Sequence, residues 1–186
     1  MYCQLRPPYK GGFIGFWWYR WSNSFNLVDM VSLLRQQYQL VRSSRAVMLK
    51  FIAEQNVDVN TPVPAFHNKT VGFMLLHVAN VYRHWLGNFG MGNGLGYYDD
   101  SAPTDIGAIR DAFDDVDDLV NAFFNKFGND LDLPIIGTIS GGRQFTFTPT
   151  ELFTHVITHE FHHKGQAMSM CSLLGHTPPD TDLIRT

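Results

Sequence analysis

The chain has 186 residues, 45% of them hydrophobic and 17% charged, a balance that excludes disorder and fits one domain with or without an appendage. A formal net charge of −3 with no basic block argues against a nucleic-acid partner. Two cysteines, Cys3 and Cys171, are too few for a disulfide framework, and no run approaches the roughly 20 apolar residues of a membrane span.

Residues 1–24 differ from the rest. They hold Trp17, Trp18 and Trp21 together with Pro7, Pro8, Gly11 and Gly12, and no helical or alternating period runs through them. They read as an extended aromatic arm, packed on the domain or on a partner subunit, with residues 25–186 as the single domain. An incorrectly assigned start is the alternative, because Met30 opens the first clear helix. The arm lacks a small-residue cleavage site and does not read as a signal peptide, so the expected location is the cytoplasm.

From Leu27 the period becomes helical. Leu27, Val31, Leu34, Tyr38, Val41, Met48 and Ile52 recur at spacings of three and four, which predicts a helix over about 25–56. Arg45 fills the one missing position of that seam. It either snorkels at the core's edge or faces a polar cavity and binds an anion. Asn60, Pro62 and Pro64 mark a loop. A second helix is predicted over about 69–88, with Met74, His77, Val81 and His84 on one stripe. The glycines Gly87, Gly90, Gly92, Gly94 and Gly96 should end it in a mobile loop.

The third helix should open near Ser101 or Thr104 and bury Ile106, Ile109, Phe113, Val116, Leu119, Phe123 and Phe127. Its aspartates (Asp111, Asp114, Asp115, Asp117, Asp118) mostly fall off that stripe and read as a solvated face, without the loop glycine and spacing of a calcium site. Residues 133–148 change period: two short alternating runs flank Gly141-Gly142, a hairpin expected to cover one end of the helices. The fourth helix has the clearest start. Thr148 is the N-cap, Pro149 the first helical residue and Glu151 the partner in a capping box. It should run to Leu174, where Gly175 and Pro178-Pro179 stop it. Its inward stripe reads Leu152, Val156, His159, His163, Ala167 and Met170, and Cys171 beside it reads as a buried small hydrophobe. The sum is an all-α four-helix bundle with a small β-hairpin before the last helix.

Two histidines in mid-stripe require a reason. A buried imidazole without a partner costs on the order of 1–3 kcal/mol. His159 and His163, four residues apart, share a helical face, and His77 lies on the inner stripe of another helix. Three neutral imidazoles converging from two helices suit zinc or nickel, with a fourth position left to water or substrate. His155 reads as a supporting neighbour, His162 points along a groove and His84 extends the same cavity, while His67 and His176 fall in loops. Gly165, in mid-helix, should admit another helix closely. Gln166 either reaches toward the site or is a partly exposed amide.

His159-Glu160-Phe161-His162-His163 also spells H-E-x-x-H, the zinc-protease motif. That reading needs a third ligand after the helix. The position six residues beyond His163 is Ser169, and no glutamate follows Glu160.

Leu75-Leu76-His77 with Tyr82-Arg83-His84-Trp85-Leu86, and Thr150-Glu151-Leu152 with His155 and His159-Glu160-Phe161-His162-His163-Lys164-Gly165-Gln166, resemble the DinB/YfiT-like superfamily. The last string looks like its H-x-x-H-H-[KR]-G-Q signature. The resemblance spans about 27–176 and leaves out the aromatic arm. It implies an up-down-down-up bundle, often a homodimer, with His77, His159 and His163 as the metal ligands. Relatives of that kind include low-molecular-weight thiol transferases and a mycothiol-dependent maleylpyruvate isomerase. The expected function is therefore a metal-dependent enzyme that activates a low-molecular-weight thiol or water against a small-molecule electrophile. Arg45, Arg83, Glu160 and Gln166 are candidates to assist. The rival expectation is a non-catalytic bundle with a structural metal that binds a ligand or partner.

Overall fold

The computed structural model describes residues 15–139 and 142–185, with the backbone alone given for 15–29. Helix α1 is Gly15–Glu54, α2 is Val71–Tyr82, α3 is Ile106–Phe127 and α4 is Pro149–Leu173; strands β1 (Ile135–Thr138) and β2 (Gln144–Phe147) precede α4. Among the described residues no helix is long and apolar enough to cross a membrane.

Local signals set most of the helix starts. Thr70 accepts from the Phe73 amide, and Asp105 accepts from the Ala108 amide one residue before Ile106. Thr148 and Glu151 form the reciprocal capping box that the sequence spells. At the other end of α4, Gly175 takes φ 91°, a left-handed position that favours glycine. The hairpin pairs Ile135 with Phe147 and Thr138 with Gln144, and Phe145 stacks on Phe147 on one face.

Two boundaries differ from the sequence reading. Helix α1 begins at Gly15, so the stretch from there to residue 24 is helical and not extended; residues 1–14 lie outside the described part. Helix α2 does not stop at Gly87. It continues as π-helical turns through Arg83–Met91 and ends where Gly92 adopts φ 74°. Glycine at 90 is needed there for space: a Cβ would stand 3.0 Å from the Phe123 ring and 3.3 Å from Leu152.

The helix directions follow from side-chain contacts. Arg35 reaches Asn125 and Arg110 reaches the Leu49 carbonyl, so α1 and α3 are antiparallel. Tyr38 meets Phe153 while Arg45 meets Glu160, so α1 and α4 are parallel. His77 meets His159 while Trp85 meets His155, so α2 and α4 are antiparallel. The crossover from α2 to α3 returns along α2: Asn88 holds Leu95, Asn80 holds Tyr98, and Thr104 ends beside Gly72. The order is up-down-down-up. The core is continuous, with Tyr38, Met48, Ile52, Leu75, Tyr82, Ile109, Phe123, Phe153 and Met170 all buried. The apolar seam of α1 packs as its spacing predicts from Val31 onward; Leu27 falls outside the described side chains.

Candidate metal centre

Helices α2 and α4 bring His77, His159 and His163 together. One ring nitrogen from each lies within 4.8 Å of the others, and all three residues are half-buried. The Nε2 atoms of His77 and His159 face each other at 3.3 Å. Two nitrogens bound to a tetrahedral zinc at about 2.0–2.1 Å stand about 3.3–3.4 Å apart. The separation therefore matches one edge of such a tetrahedron, and equally a hydrogen bond between two imidazoles. The ring of His163 lies 4.4 Å from that of His159 and 4.9 Å from that of His77.

Neighbouring groups fix the rings. Gln166 Oε1 lies 2.6 Å from His163 Nδ1. Nδ1–H therefore donates to the amide oxygen, and Nε2 keeps its lone pair for the cluster. His77 stacks flat on Phe73, and its Nδ1 lies 3.9 Å from an Asp100 carboxylate oxygen. Hydrogen-bonded partners on the outer nitrogen are the usual means of orienting metal-binding imidazoles. Burial, reinforced by the neighbouring histidines, lowers the His159 pKa to about 4. Burial also lowers that of His163, partly offset by Gln166. Both rings thus stay neutral, as metal ligands must be.

The adjacent, core-facing side of α4 is different. Glu160, next to His159, is about 100° around the helix. It is 2% exposed and Arg45 is 3% exposed. Arg45 donates from Nε and NH2 to the two Glu160 oxygens at 2.8 and 2.9 Å, and from NH1 to Asp117 at 2.8 Å. Tyr82 donates its hydroxyl to Glu160 at 2.6 Å, and Tyr38 donates to Asp117 at 2.6 Å. Burial alone would lower the Arg45 pKa, but the Glu160 carboxylate overrides it and raises the value well above the ordinary one. Tyr82 is likewise raised, by burial first and by Glu160 second. Among the described residues no buried side-chain polar atom lacks a partner.

Several expectations change here. Arg45 neither snorkels nor faces an anion cavity; it is paired in the core. The zinc-protease reading of H-E-x-x-H loses its general base, because both Glu160 oxygens are engaged in the core, off the histidine face. The inward stripe of α4 runs through Glu160 and Lys164, while His159 and His163 sit at its half-buried margin. Arg83 is tied into the crossover, donating to the Gly96 carbonyl at 2.7 Å and to the Tyr98 hydroxyl at 3.1 Å. Asp117 leaves the expected solvated face and holds Arg45, while Asp115 stays exposed and accepts from the Tyr98 hydroxyl. Gly165 opens onto free space and makes no close approach.

The remaining histidines lie beside the cluster and beyond it. His155 stands one ring from His159 at 5.6 Å, and His162 one ring from His163 at 4.9 Å. His84 pairs with the Tyr97 hydroxyl at 2.7 Å. His176 packs edge-on against Phe51, and His67 is an exposed left-handed residue. Cys171 is buried, which raises its thiol to about 11 and leaves it protonated at neutral pH. Sequence reasoning missed Lys164, which is buried on α4 and donates to Ser44 Oγ at 2.6 Å and to the Thr181 carbonyl, fastening the C-terminal segment. It also missed Tyr82, although Leu75, Ala79, Tyr82 and Leu86 recur at spacings of three and four, and Asp100, which lies in the crossover where no period runs.

Comparison with curated proteins returns no match. A model of the DinB family matches residues 29–186, a span that includes the three clustered histidines and both members of the Arg45–Glu160 pair, and the chain belongs to that family.

Proposed function

We propose that His77, His159 and His163 hold a divalent ion, zinc or nickel, and that the protein is a metal-dependent enzyme acting on a small electrophile with a low-molecular-weight thiol or water. One observation carries the reading: ring nitrogens of three half-buried histidines lie within 4.8 Å of one another, and burial lowers the pKa values of His159 and His163. A bound ion would lower the pKa of water or a thiol enough to supply a nucleophile near neutral pH. The chain's own residues supply the rest. Gln166 sets the tautomer of His163, Phe73 fixes the ring plane of His77, and the Arg45–Glu160–Tyr82 pairing holds α4 against α1 and α2.

Half-burial favours the enzyme over a structural metal, because a purely structural ion is usually enclosed by four protein ligands. Among the described residues the metal-ligating cluster contains three histidines and no fourth protein ligand. The test is metal stoichiometry of the purified protein after zinc or nickel loading and desalting. Equimolar metal is expected in the wild type, and little in His159→Ala or His163→Ala. Unchanged metal content in those variants removes the proposal.

A further inference from the structure

The crossover from α2 to α3 is tied down at points that leave one acidic side chain beside the histidine cluster. Asn88 holds the amide and carbonyl of Leu95 at 2.5 and 2.9 Å. Arg83 donates to the Gly96 carbonyl, and Asn80 holds both backbone groups of Tyr98 at 2.8 and 2.9 Å. Farther along, Asn60 holds both backbone groups of Thr104 at 2.9 Å. Asp100 falls between the two fixed points at Tyr98 and Thr104. Its neighbour Asp99 is engaged by Ser101, whose amide and hydroxyl donate to it at 3.1 and 2.6 Å. Asp100 faces α2 instead, with a carboxylate oxygen 3.9 Å from His77 Nδ1. Asn80, the anchor of Tyr98, lies three residues after His77, so one turn of α2 carries both the histidine and the tie that brings Asp100 to it.

The proton on the His77 ring decides what Asp100 can do. A neutral imidazole carries one N–H. As the rings stand, His77 Nε2 faces His159 Nε2 at 3.3 Å, a contact in which either nitrogen can hold the shared proton. A metal-binding Nε2 must be free of a proton, and the ring proton then belongs to Nδ1, on the side of Asp100. The flat stack on Phe73 holds the ring plane in which Nδ1 points there. The present separation is about 1 Å beyond an ordinary N–H···O distance, a gap that rotation of the Asp100 side chain can close. His163 already shows the completed arrangement, with Gln166 Oε1 at 2.6 Å from its Nδ1.

We propose that Asp100 is a positioning residue of the metal centre: it accepts a hydrogen bond from His77 Nδ1–H when Nε2 binds a divalent ion, and so fixes the tautomer and orientation of that ligand. The inference rests on the reading of His77, His159 and His163 as metal ligands. Asp100 touches neither metal nor substrate and acts through His77 alone. A carboxylate on the outer nitrogen also makes the ring a stronger ligand.

The test uses full-length protein and zinc, with affinity read by competition with a chromophoric chelator. Asp100→Ala should weaken zinc binding by about 10- to 100-fold and leave urea unfolding of the metal-free protein unchanged. Unchanged affinity overturns the proposal, as does a loss of affinity accompanied by a destabilised metal-free fold. NMR of zinc-loaded protein with isotope-labelled histidine gives a second readout that a merely structural role would not move. The His77 Nδ1–H proton should resonate downfield and exchange slowly in the wild type. It should move upfield in Asp100→Asn, whose amide oxygen is a weaker acceptor than a carboxylate. If Asp100→Ala does not fold, this readout decides: a resonance missing from the wild type, or unmoved in Asp100→Asn, overturns the proposal. Wild-type protein that takes up no zinc removes the metal centre, and this role with it. Zinc held equally well by wild type and Asp100→Ala removes the role of Asp100 alone.

Discussion

Two faces of helix α4 carry ionisable residues and use them in opposite ways. On the core face, Glu160 is buried and every polar atom has a partner: Arg45 on two oxygens, Tyr82 on one. On the histidine face, about 100° around, His159 and His163 are only half-buried and turn toward His77. The core face is closed and finished. The histidine face is a cluster of ring nitrogens that satisfy one another only partly. A buried ion pair adds little net stability over a packed apolar pair. Its value here is geometric: Glu160 meets α1 and α2 at once and sets the rotation of α4, which aims the histidines.

That contrast predicts different costs on the two faces. The largest effect is expected for Glu160→Gln, which leaves the Arg45 guanidinium buried and underpaired. Breaking such a pair costs about 3–5 kcal/mol, readable by urea unfolding of the metal-free protein. The triple variant Arg45→Met, Tyr82→Phe, Glu160→Leu, which leaves no orphaned Tyr82 hydroxyl, should recover most of that loss. If it does not, the network contributes more than a buried pair normally does.

On the histidine face, His159→Ala should leave the metal-free protein as stable as the wild type at neutral pH while removing metal. Gln166→Ala should be milder. It releases His163 Nδ1 from its acceptor, and loss of such a partner lowers metal affinity by about 10- to 100-fold. Competition with a chromophoric chelator measures it, and unchanged affinity would mean that Gln166 does not orient the ring.

The pH dependence carries a defined sign. The His159 value is about 4 in the folded chain against an ordinary 6.5. Between those two values the unfolded chain holds a proton that the folded chain does not, so stability rises with pH across that window. His159→Asn should flatten this part of the profile in metal-free protein, as read by unfolding at pH 4.5 and pH 7. The smallest effect belongs to Gly165→Ala. With open space around the site, the substitution should stabilise by up to about 1 kcal/mol. A loss of stability or a change of oligomeric state would show that another surface rests there.

Much of this was legible in the sequence. The capping box at Thr148, the change of period at the hairpin and the apolar stripe of α3 are local signals, and each formed where its residues predict. The histidine cluster was legible because four-residue spacing and an inner stripe on α2 need no knowledge of distant contacts. The core face of α4 was not. An apolar period discounts Glu160 and Lys164, and Arg45 is 115 positions away from the carboxylate that explains it. Asp117 was hidden in a run of aspartates whose other members are exposed. The π-helical extension was missed because Gly87 and Gly90 read as stops; packing against Leu119, Phe123 and Leu152 makes small residues necessary there.

The most direct test of the central claim is X-ray absorption spectroscopy of the zinc- or nickel-loaded protein. The account predicts equimolar metal with three imidazole nitrogens in its coordination shell and one further exchangeable oxygen or nitrogen ligand. A shell without three imidazoles, or tight metal binding that persists when His77 is replaced by alanine, would contradict it.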